Sequence, residues 1–165
     1  SGVPGTGGFS DVKRGDWYAP YVAFAKRYGI ANGYLDGTFR PEQPVSRAEL
    51  VKLIASYFTV EGGTPPFPDV PGGHWAAEVV SFAAEEGWVS GYPDGTFRPD
   101  APVSRAEAVK ILNHALDRRA GERAAALPFT DVEKSHWACD EIREAAVSHT
   151  YRKSGEGETW LTYER

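Results

Sequence analysis

The chain has 165 residues, 41% hydrophobic, 13% aromatic and 25% charged, with a formal net charge of −5. That balance suits one globular domain or two very small ones, and it excludes a global basic field for nucleic acid or an anionic membrane face. No apolar run approaches the roughly 18 residues of a membrane span, so no membrane insertion is expected. A lone cysteine, Cys139, excludes an internal disulfide and argues against a thiolate metal site.

Residues 1–8 (SGVPGTGG) read as a linker or cloning remnant without periodicity. Phe9-Ser10-Asp11-Val12 then opens a unit that starts again at Phe67-Pro68-Asp69-Val70 and once more at Phe129-Thr130-Asp131-Val132. Trp17, Trp75 and Trp137 recur in step. Repeats of this length cannot each bury their own apolar face, so the expectation is one compact domain of units sharing a core. The units run over residues 9–58, 67–118 and 129–165, with Gly- and Pro-bearing spacers between them.

Each unit begins with a helix. Trp17, Tyr21, Phe24 and Ala25 lie at helical spacing, as do Trp75, Val79, Phe82 and Ala83, which predicts one apolar face per helix. The third unit keeps a looser version in Trp137, Ile142, Ala145 and Ala146. Gly29 and Gly87 stand where a left-handed C-terminal cap belongs. The loops that follow, "NGYLDGTFRPEQPV" and "SGYPDGTFRPDAPV", contain an Asp-Gly turn with room for a very short extended piece. Their acids do not alternate as calcium ligands must, so no metal is expected.

A second helix starts at Ser46-Arg47-Ala48-Glu49 and at Ser104-Arg105-Ala106-Glu107. In each, the serine and glutamate form a capping box. The arginine is not explained by capping, because a cation in the first turn opposes the helix dipole slightly. A guanidinium beside open helix amides suits a carboxylate or phosphate; pairing with Glu49 or Glu107, or stacking on an aromatic ring, is the alternative. If the arginine serves anion binding, removing it should hardly alter stability, since a cation is slightly unfavourable there.

Taken together, Phe-x-Asp-Val, the tryptophan, Gly-Tyr, Asp-Gly-Thr-Phe-x-Pro and Ser-Arg-Ala-Glu resemble the S-layer homology repeat of bacterial surface proteins. The resemblance implies a mainly α, pseudo-threefold bundle of three repeats that anchors secreted proteins non-covalently on the cell wall. Its implied partner is a secondary cell wall polysaccharide, often pyruvylated, held in grooves between repeats. By the same resemblance the motif arginines, Arg47 and Arg105, are the principal ligand contacts, with Asp11, Asp69, Gly29 and Gly87 as further groove positions. Trp17, Trp75 and Trp137 are candidates to stack on a sugar, although their spacing favours core packing.

The third unit is incomplete. It reads "HTYRKSGEGETWLTYER" where the loop and second helix should recur, and it lacks Ser-Arg-Ala-Glu. A solvated polar tail is expected, with Trp160 plugging the missing helix's place as the competing idea. His74, His114, His136 and His149 are scattered, and no nucleophile elbow, phosphate loop or metal spacing appears, so neither an enzyme nor a cofactor is expected. A lattice or protein–protein module, pairing with other surface-layer proteins, is the alternative to glycan anchoring.

Overall fold

In the computed structural model the described residues are 5–118, 126–154 and 157–163. They form five helices: α1 (Ala19–Arg27), α2 (Arg47–Ala55), α3 (Ala77–Glu85), α4 (Arg105–Ala115) and α5 (Cys139–Ala146). A hairpin of β1 (His149–Ser154) and β2 (Gly157–Tyr163) follows. The fold is mainly α, a bundle of helix–loop–helix repeats whose third member is cut short. Among the described residues α2 packs on α3 and on α4, and α4 packs on α5. Among the described residues no helix packs in the same way on α1.

The main core lies around α2 and α3, where Val51, Val80 and Phe97 are fully enclosed. A smaller cluster of Phe9, Val12, Ala19 and Val22 sits beneath α1. Residues 5–8 run along the first repeat. Thr6 is buried, and Gly7 lies against the Phe9 ring and Ala23; residues 1–4 fall outside the described ones.

Both capping boxes form. The Ser46 hydroxyl accepts from the Glu49 amide while the Glu49 carboxylate accepts from the Ser46 amide, and Ser104 and Glu107 repeat the exchange. These boxes fix where the second helices begin, which decides where Arg47 and Arg105 stand.

The tryptophans leave the core. Trp17, Trp75 and Trp137 are 80%, 53% and 60% exposed, because each helix starts two residues after its tryptophan. Small residues at the helix starts take the inner positions instead: Ala19, Ala76, Ala77 and Ala138 are buried. His74 and His136 steady the turn, each ring Nδ1 accepting from the alanine amide two residues on, at 3.1 Å.

Two helix faces also differ from expectation. On α1 the apolar stripe of Tyr21 and Phe24 is exposed, and the buried residues are Ala19 and Val22. On α5 Ala145 and Ala146 are exposed, and the helix docks through polar groups. Asn113 of α4 donates to the Glu141 carboxylate at 2.7 Å, and Arg118 pairs with the fully buried Glu144 at 3.1 Å. Cys139 is buried at the start of α5, where Arg143 donates to its sulfur.

The C-terminal segment is ordered as strands of six and seven residues, longer than the very short pieces expected. They pair antiparallel, with a bulge between Thr150 and Tyr151. Trp160 stacks on His149 at 3.8 Å and donates its indole N–H to Glu144 at 2.8 Å, so it locks the hairpin onto α5.

Candidate ligand-binding site between the repeats

The Arg47 side chain is enclosed. The residue is only 6% exposed, and its guanidinium donates to the Phe97 carbonyl at 2.9 Å and to the Glu107 carboxylate at 3.0 Å. It also lies 4.7 Å from the Tyr92 ring centroid and 5.0 Å from that of Phe97. All of these partners belong to the second repeat. The α2 amides that stood as an open anion cradle are closed as well, since Arg47 and Ala48 donate to the Ala101 and Pro99 carbonyls at 3.0 Å. A further backbone bond, from Val103 to Val45, completes the seam. Arg47 is therefore a clamp between repeats, and its loss bears on stability.

At the equivalent place on α4 no described residue closes the site. Arg105 is exposed, and among the described residues neither its side chain nor the first-turn amides of Arg105 and Ala106 have a partner. The reason is the missing loop: the third repeat has no counterpart of Tyr92, Phe97 and Glu107 to lay across this helix start. An open guanidinium beside unpaired helix amides is a favourable seat for an anion.

Asp11 and Asp69 perform one task in both repeats. Asp11 accepts from the Phe39 and Arg40 amides at 2.8 and 2.7 Å, and Asp69 from Phe97 and Arg98 at 2.9 and 2.7 Å. Burial pushes both carboxyls up, but the two amide donors outweigh it and hold them below the ordinary value. Those bonds fix a strained turn, because Arg40 and Arg98 have positive φ of 60° and 58°. The turned arginines stack at 3.9 Å on Tyr34 and Tyr92 and pair with Asp36 and Asp94. Tyr34 and Tyr92 in turn donate to Glu49 and Glu107 at 2.6 Å. Burial raises these glutamates too, yet the tyrosine and serine donors keep both below the usual range.

Gly29 and Gly87 have φ of 70° and 73° and end their helices as caps. The Gly87 carbonyl lies 2.9 Å from a ring nitrogen of His114. Open space surrounds both α-carbons.

Trp75 and Trp137 face the neighbouring repeat. Lys52 of α2 has its ammonium 5.2 Å from the Trp75 ring, and Lys110 of α4 repeats this at 5.9 Å from Trp137. Each junction thus offers a flat aromatic face with a cation beside it. Among the described residues no lysine stands over Trp17 in this way. The structure therefore brings Trp75 and Trp137 to inter-repeat junctions, puts Arg105 on the helix that carries Lys110, and turns Arg47, Asp11 and Asp69 inward. Sequence reasoning passed over the two lysines and the two tyrosines, although all four recur between the repeated stretches.

Comparison with known proteins accounts for the repetition. A family model described as S-layer homology domain matches residues 8–51 and 66–109. The chain belongs to the S-layer homology family. It is 35% identical over 93% of its length to Cell surface glycoprotein 1 of Acetivibrio thermocellus, covering 7% of that protein. It is 34% identical over 91% of its length to the Cellulosome-anchoring protein of the same organism, covering 35%. Identity to S-layer protein EA1 of Bacillus anthracis is 36% over 67% of the chain and 12% of that protein. The S-layer homology chain is thus a small part of each of these relatives. Among its described residues no helix is long and apolar enough to cross a membrane.

Proposed function

We propose that this chain is a non-covalent cell-surface anchoring module that binds an anionic secondary cell wall polysaccharide, a carboxylate such as ketal-linked pyruvate being the group recognised. The observation that carries this reading is the open start of α4: the unpartnered Arg105 on the helix whose Lys110 stands against the exposed Trp137. An aromatic face takes the apolar side of a sugar ring, and a guanidinium with free amides takes the carboxylate. Trp75 with Lys52 offers a second, weaker junction, since Arg47 is committed there. The names of the relatives, among them a cellulosome-anchoring protein and an S-layer protein, agree with a surface role outside the cell. Relatives that are enzymes, an amylopullulanase and an exoglucanase, match this chain over only 6% and 11% of their length, which leaves catalysis outside the role proposed here.

The test is a binding isotherm with purified wall polymer, before and after chemical removal of its acidic substituents. Arg105→Ala and Trp137→Ala should each weaken binding about tenfold or more, the order expected for one charge-assisted contact, with unchanged melting. Undiminished affinity in the double variant, or indifference to the acidic groups, overturns the reading.

A further inference from the structure

Two junctions join a second helix to the first helix of the next repeat: α2 to α3, and α4 to α5. The first is apolar. Val60, Val79 and Phe82 pack against the main core beside the buried Ala55, and Phe82 lies 6.3 Å from Phe58 and 5.2 Å from Trp88. At the second junction the residues in step with these carry charge or amide groups. Asn113 and Arg118 stand for Ala55 and Val60, and Glu141 and Glu144 stand for Val79 and Phe82.

The replacements pair with one another. Asn113 donates to the Glu141 carboxylate at 2.7 Å and to the Glu141 carbonyl at 3.0 Å, and His114 lies 3.4 Å from the same carboxylate. Arg118 reaches the fully buried Glu144 at 3.1 Å, where the Trp160 indole and the His149 ring also converge at 2.8 and 3.2 Å. Neither apolar cluster includes a described residue of α5, β1 or β2. Apolar faces that part expose carbon to water, and the whole gain from burial is lost. Charged partners that part recover their hydration, which offsets most of the attraction given up. The second junction is therefore the easier of the two to open.

We propose that α5, β1 and β2 form a clasp that opens from α4 as one unit while the core around α2 and α3 stays closed. Trp160 and His149 bind the hairpin to Glu144 of α5, so helix and strands move together. The clasp governs the candidate ligand site. Trp137 stands two residues before α5 and faces Lys110 across the same junction, at 5.9 Å. A ligand seated between Lys110 and Trp137 touches both sides, binds only the closed form and draws the clasp shut. That last step rests on the polysaccharide reading; the opening itself does not.

Hydrogen exchange of the intact chain, read by mass spectrometry in rising urea below the unfolding transition, is the test. The α5 amides should exchange through an opening about tenfold or more as populated as the one that exposes α2 and α3. Its dependence on urea should also be shallower, because it uncovers less surface. Glu144→Gln, which keeps the shape and removes the charge, should raise that opening about tenfold or more. Saturating purified wall polymer should lower it about tenfold or more in the unaltered chain. One opening with one urea dependence for α2, α3 and α5 overturns the proposal, and so does unchanged α5 exchange in Glu144→Gln. A polymer that binds yet leaves α5 exchange as before overturns closure by the ligand. The urea series contains no polymer, so it separates the clasp from the polysaccharide reading, whose own failure is an absent binding isotherm.

Discussion

The guanidinium of Arg47 and the carboxylate of Glu107 meet at 3.0 Å across the boundary between two repeats. The residue that seemed free to hold an outside anion already holds the one that caps the neighbour's helix. Its repeat-two counterpart, Arg105, stands open because no third loop arrives to meet it. One motif, spelled twice, therefore does two different things.

Stability should separate the two arginines. Breaking a buried pair from one side costs about 3–5 kcal/mol, and Glu107 retains the Tyr92 and Ser104 donors after the loss. Arg47→Ala is therefore expected at roughly the lower end of that range, near 3 kcal/mol. Arg105→Ala, at an exposed position, should stay within about 0.5 kcal/mol. Denaturant midpoints of the two variants decide the matter, and equal losses would contradict the clamp.

Acid should loosen the loops within both repeats and, through Glu107, the seam between them. Glu49 and Glu107 titrate below their usual 4.5, and Asp11 and Asp69 below 3.8. A carboxyl whose folded pKa is depressed stabilises the fold above its unfolded value, and that contribution fades as pH falls through the folded value. Stability should therefore hold steady from neutral pH to about 5 and decline below about 4.5. Glu107→Gln should lower stability at pH 7 and flatten the acid slope. A slope as steep as that of the parent chain would remove Glu107 from the account.

Much of this was legible in the sequence. The capping boxes at Ser46 and Ser104, the glycine caps and all five helices follow from local patterns, because each is fixed by residues within a turn or two. What stayed hidden is set by neighbours in space. The apolar stripe on α1 has the right period, but periodicity does not reveal that no described helix packs over it. Glu141 and Glu144 look like surface acids until Asn113, His114 and Arg118 are seen to receive them. Likewise, the tryptophans obey helical spacing while standing just before the helix, where small residues already fill the inner positions.

Glycines with similar φ should respond differently to a side chain. Gly29 has φ of 70° and nothing near its α-carbon, so Gly29→Ala should cost only the left-handed penalty of about 1–2 kcal/mol. At Gly91 φ is 71°, but a methyl group would fall 2.6 Å from the Phe67 ring and 2.9 Å from the Thr96 carbonyl. Overpacking adds about 1–3 kcal/mol there. Thermal melts of both variants should rank Gly91→Ala as the more damaging, and the reverse order would show that the loop yields.

The hairpin offers the sharpest contrast with a solvated tail. Trp160 lies nearly parallel to His149, at 15° and 3.8 Å, and its indole N–H reaches the buried Glu144 carboxylate. Trp160→Ala removes the stacked ring and one donor to a charge that cannot reach water. Full truncation of a buried tryptophan costs about 3–5 kcal/mol, and this ring is only half-buried, so about 2–3 kcal/mol is expected. Trp160→Phe keeps an aromatic ring but loses the donor, and should cost about half as much. Arg118 and His149 still face Glu144 in both variants, at 3.1 and 3.2 Å, which keeps the carboxylate from being orphaned. Melting curves of the two variants, with near-ultraviolet circular dichroism to follow the aromatic stack, measure the difference. Two variants that melt with the parent chain would show that the strands lie on the bundle without bracing it.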